Sequence, residues 1–232
     1  MKKSIITLLI LFLSASFVYA DNQDNKDKCK ALFEELYEYS IRKNISDNDF
    51  KKCRHLVKQL NAQNYYAHKI EKDGKPFIDH FLTPTYGDIC LKTNPDLGIP
   101  AYIGYLIDHK NSASELLSFS FEPIFKLHPE MVLDEIRKLD KATQDYLLDR
   151  FYWGFLNNNP VKKEEVINGR TEIKKYPMDA TNYEEVFYKA YPALADKYEK
   201  YKISIDYIFE CCSLYFKWAE ERRKKVRAEK KI

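Results

Sequence analysis

The chain is poor in the residues that break and bend a backbone. Six glycines and nine prolines in 232 residues fall well under the roughly 12% these two types usually supply together. That scarcity argues against a loop-rich sandwich, a collagen-like chain and a glycine-rich nucleotide fold. No stretch after the first twenty residues is apolar enough to span a bilayer, which takes about 20 residues. The patterns G-x-S-x-G, H-E-x-x-H and C-x-x-C are missing, as are a Walker loop and a dinucleotide fingerprint. No cofactor is expected.

What the chain does have is rings and charge. Aromatic residues make up 15%, with 18 Tyr and 14 Phe, ample material for a core. Charged residues reach 31%, which excludes a multi-span membrane protein, and 45% hydrophobic residues exclude wholesale disorder.

Residues 1–20 read as an export signal. Lys2 and Lys3 form the positive start, Ile5 to Leu13 the apolar run, and Val18-Tyr19-Ala20 a small-residue cleavage site before Asp21. The reading predicts a periplasmic or secreted protein, cut between Ala20 and Asp21. Residues 21–219 are expected to form a single α-helical domain with a hairpin insertion at about 160–180, and residues 220–232 a basic helical tail. That tail holds seven cations against three acids, a net +4. The basic balance therefore describes a tail and not a nucleic-acid-binding face. Arg222, Arg223, Lys224 and Lys225 are candidates for contact with an anionic surface; the plainer role of these cations is to complement the helix dipole.

Five cysteines allow at most two disulfides in an oxidising compartment. A Cys29–Cys53 bridge is disfavoured, because helices turning near Asn44 would leave the two about 10 Å out of step. Cys90 with Cys211 or Cys212 is the preferred pairing. Cys211 and Cys212, adjacent on a helix, point about 100° apart and would serve different partners.

Apolar spacing predicts an all-α fold, a compact array of antiparallel helices, several of them short. One stripe is Cys29, Leu32, Phe33, Leu36, Tyr37 and Ser40. A second, capped by Ser46 on the amide of Asp49, is Phe50, Cys53, Leu56, Val57 and Leu60. From Pro76 to Pro129 the recurring prolines predict short helices, each opened by a proline. Asp140 to Phe155 predicts a central helix, buried all round through Phe151-Tyr152-Trp153-Gly154-Phe155. Thr181 with Glu184 matches a capping box, Pro192 should split the helix that follows, and Ser204 should cap the last. Glu165-Val166-Ile167, Asn168-Gly169 and Arg170-Thr171-Glu172-Ile173 match a β-hairpin near residues 164–175.

Chemistry leaves little trace. No two of the five histidines sit at i, i+4, the spacing that places two ligands on one helix face, and no metal site is expected. Asp79, His80, Asp108 and His109 are the candidates for an acid–base or metal site, which would require the two segments to converge. Those residues carry the alternative reading of a periplasmic hydrolase. The favoured expectation is an exported, non-enzymatic protein that binds another envelope or secreted protein, as inhibitor, immunity-like or adaptor proteins do. Val166, Asn168, Gly169 and Arg170 are its expected contact residues. The sequence gives no oligomeric state.

Overall fold

The structure, a computed structural model, describes residues 25–63, 71–72, 75–76, 82–111, 115–159, 161–167, 170–176 and 178–229. It is predominantly helical, and its contacts group into two units divided between Asn94 and Pro95.

The first unit begins with α1 (residues 25–40), then α2 (Asp47–Ala62), two short strands β1 (Glu71–Lys72) and β2 (Lys75–Pro76), and α3 (Leu82–Leu91). Ser46 starts α2 as its spacing predicts, the hydroxyl accepting the Asp49 amide at 3.2 Å. Phe50, Cys53, Leu56, Val57 and Leu60 are all buried along its inner face. In α1 the inner face is Cys29, Phe33, Leu36, Tyr39 and Ser40. Tyr37, expected inward, lies outside at 44% exposure. One residue on from Leu36 is about 100° of helix rotation, which turns Tyr37 out of the core while its ring stays stacked near Phe33, centroids 6.4 Å apart. The turn after α1 is tied to the end of α3, where the Ile45 amide donates to the Lys92 carbonyl at 2.9 Å and the Lys92 ammonium reaches the Ser40 carbonyl. Strands β1 and β2 pair antiparallel, Glu71 opposite Pro76 and Lys72 opposite Lys75.

The second unit runs α4 (Pro95–Asp108), α5 (Glu115–Leu127), α6 (Pro129–Ile136), α7 (Lys141–Asn158), β3 (Val161–Ile167), β4 (Arg170–Tyr176), α8 (Tyr183–Ala190), α9 (Pro192–Ala195) and α10 (Tyr198–Glu229). Prolines open α4, α6 and α9, where the missing amide hydrogen is no loss. Pro100 and Pro123 instead lie inside α4 and α5. Each of these helices survives the loss of a ladder bond because its neighbours, Ile99, Tyr102, Phe121 and Ile124 among them, are buried.

Two further starts differ from expectation. Asp179, not Thr181, organises the entry to α8: its carboxylate takes the Thr181 amide and hydroxyl at 2.9 and 2.6 Å, so the Thr181–Glu184 box does not form. Helix α10 begins at Tyr198, six residues before Ser204, which is buried within it. Ion pairs from Lys197 to Glu130 and from Lys200 to Asp134 fasten that extra turn to α6.

The core of this unit is a layer of rings. Phe125 and Phe151 stack with centroids 3.8 Å apart, and Phe155, Phe187 and Tyr191 surround Phe151. All five are essentially buried, each contributing about 1.5–3 kcal/mol of burial free energy. Helices α5 and α7 approach closely at Gly154, where an added Cβ would lie 2.3 Å from the Ser118 carbonyl oxygen.

Gly154→Ala should therefore lower stability by about 1–3 kcal/mol, read as a drop in the unfolding midpoint. Gly104→Ala in α4, where a Cβ meets nothing within 4 Å, should raise stability by up to about 1 kcal/mol through helix propensity. Equal effects of the two would contradict the close approach.

Candidate functional site

Helix α7 turns Phe151, Gly154 and Phe155 to the core but leaves Tyr152 half-buried and Trp153 42% exposed. The aromatic run is therefore not buried all round. Helix α10 explains the exposure. It buries Tyr201, Ser204, Ile205, Ile208 and Cys212, while Ile203, Leu214 and Trp218 are exposed. At about 100° per residue these last three fall within about 60° of one another, on one outward stripe. Trp153 joins it across the helices: its ring meets Tyr215 edge-on at 5.3 Å, and Tyr215 lies 6.1 Å from Trp218. The Arg222 guanidinium sits over the Trp218 ring at 5.3 Å. Both tryptophans of the chain thus stand on one outward aromatic face.

Beside it lies a polar cluster. The Tyr207 hydroxyl donates to Asp149 Oδ1 at 3.2 Å and the Cys211 thiol to the same oxygen at 3.5 Å. Burial raises the Asp149 carboxyl above its ordinary range. Burial first, and then the Asp149 charge, push the Cys211 thiol up to about 11. That thiol is consequently held neutral as a donor and is a poor nucleophile near pH 7.

The cysteines correct the expected cross-link. All five are free thiols, so Cys90 is bridged to neither Cys211 nor Cys212. Cys90 pairs with the Tyr86 hydroxyl one helical turn away, and burial raises both groups. Cys212 is fully buried and is raised to about 12 by that burial. Four of the five behave as small core residues.

A buried carboxylate, Glu122, is not singled out by any of the sequence patterns above. It is 4% exposed in α5 and accepts from the Tyr191 hydroxyl at 2.8 Å and from the Asn158 and Asn159 amides at 3.2 and 3.1 Å. Three donors satisfy it, and it joins α5 to the end of α7 and the α8–α9 junction. The only hint in the sequence was a lone acid among Phe119, Phe121 and Phe125.

The remaining predicted residues are distributed as follows. Asp79, His80, Asn168 and Gly169 lie outside the described residues. Asp108 is exposed at the end of α4. His109 folds back on the same helix, its Nδ1 2.7 Å from the Tyr105 carbonyl oxygen and its ring 4.2 Å from the Tyr105 ring. Val166 and Arg170 sit at ribbon positions opposite Thr171 and Ile167. Arg222, Arg223, Lys224 and Lys225 are exposed on α10. Among the described residues no group of three or more His, Cys, Asp or Glu could hold a metal ion. In the first unit a groove of about 460 Å³ is lined by residues of α1 and α2, including Glu35, Lys51, Lys52 and His55.

Fold and surfaces together define an α-helical scaffold with an outward aromatic face. The chain matches no known protein family, no curated protein and no solved structure.

Unfolded without reductant, the protein should titrate five thiols per chain; one or three would restore a disulfide. In the folded protein Asp149→Asn should speed alkylation of Cys211 at about pH 8 several-fold, because removing the carboxylate charge lowers the thiol pKa. An unchanged rate would remove Asp149 as a cause of the shift.

Proposed function

We propose that the chain is an exported α-helical binding protein that recognises another protein of the cell envelope, as an inhibitor or adaptor. The observation that carries this reading is the β3–β4 ribbon. Its seven rungs run from Val161 opposite Tyr176 to Ile167 opposite Arg170, about 24 Å of strand. Among the described residues the two strands pair only with each other, so each has an outer edge without a strand neighbour. Such an edge presents amide and carbonyl groups at the spacing that a partner strand needs. The export half of the reading rests on residues 1–20.

Replacing Val166–Ile173 with a short linker should leave helix content and the unfolding midpoint unchanged and abolish capture of the envelope partner in affinity purification. Undiminished capture by that variant would reject the ribbon as the contact surface.

A further inference from the structure

The outward face of α10 does not end where the fold ends. Beyond Ala219 every residue from Glu220 to Val226 is exposed, so among the described residues no other element covers this stretch of the helix. Arg222, Arg223, Lys224 and Lys225 follow one another here at about 100° steps and ring the helix instead of lining one side. Glu220 and Glu221 share the segment, and Glu220 is engaged by Lys224 at 2.7 Å. Residues 220–232 still carry a net +4.

We propose that this face, where Leu214, Trp218 and Trp153 adjoin the cations of Arg222–Lys225, docks on the surface of an anionic lipid bilayer. Three features select that occupant. Indole and phenol rings that are apolar in body and polar at the tip settle at the headgroup level of a bilayer. The Arg222 guanidinium over Trp218 places cation and ring at one depth, as an interface of lipid tails and phosphates requires. The remaining cations surround a helix about 10 Å across, so all of them lie within about a Debye length of a bilayer it rests on and feel the extended field of its anionic headgroups without touching them. Ile203 and Leu214, 77% and 58% exposed, extend the apolar side of the stripe. Among the described residues no helix is long and apolar enough to cross a membrane, so the docking is peripheral.

The two tryptophans make the test direct, since both report from this face. Purified protein is mixed with vesicles of neutral phosphatidylcholine, or with vesicles in which roughly 30% is anionic phosphatidylglycerol. The anionic vesicles should shift the emission to the blue and bind at least about 100-fold more tightly than the neutral ones, with most of that gain lost in about 0.5 M salt. Each surface cation contributes about 5-fold, so Arg222→Gln, Arg223→Gln, Lys224→Gln and Lys225→Gln combined should weaken binding by about 100-fold or more at unchanged helix content. Trp218→Ser should reduce binding to neutral and anionic vesicles alike. The proposal is overturned by equal binding to both vesicle types or by full binding of the four-charge variant. It is also overturned by a blue shift that appears with protein concentration alone, the mark of a second copy on this face, or with polyglutamate but not with vesicles.

Discussion

The close approach of α5 and α7 at Gly154 is the constraint on which the second unit depends. With no side chain there, the α5 backbone reaches α7, and Phe125 stacks directly on Phe151. Once that pair is set, Phe155, Phe187 and Tyr191 close around it, and Tyr191 delivers its hydroxyl to the buried Glu122 carboxylate. Dispersion and water exclusion supply the energy, while the carboxylate supplies direction. A buried carboxylate is tolerable only when donors reach it, so the contacts to Glu122 from the buried Tyr191 hydroxyl and from Asn158 and Asn159 at the end of α7 fix how the helix ends meet.

A consequence of this layer lies on the opposite side of α7 and α10. Each helix has only one face to give to the core, and the aromatic wealth of the chain exceeds what those faces hold. The surplus emerges as Trp153, Tyr215 and Trp218. Large exposed rings are an uncommon expense for a protein with no use for them, and here they run into a cationic helix end. The ribbon of β3 and β4 offers a different kind of surface, built from backbone edges.

Local signals were legible and non-local ones were not. The α2 cap and stripe could be read because Ser46, Asp49 and the five buried residues interact within one helix. The Asp140 cap of α7, accepting from the Thr143 amide at 3.1 Å, is equally local. Thr181 misled because Asp179, two residues earlier, offers a better-placed acceptor to the same amide. Ser204 misled because the preceding turn is stabilised from α6, more than sixty residues upstream. Glu122 was invisible for the same reason: its donors are 36, 37 and 69 residues away. Whether Trp153 faced inward depended on which rows of α7 are covered by α10, which periodicity in α7 alone does not encode. The cysteines suggested a bridge by their number, yet all five are free thiols and four of them are buried.

The central claim is that the interior rings hold the scaffold and leave both tryptophans facing water. Acrylamide quenching of the intrinsic fluorescence of the native protein tests it most directly. The account predicts red-shifted emission and quenching of both residues well above that of a buried indole, in keeping with their 42% and 52% exposure. Blue-shifted emission that resists quenching until the protein unfolds would place the tryptophans in the core and contradict it.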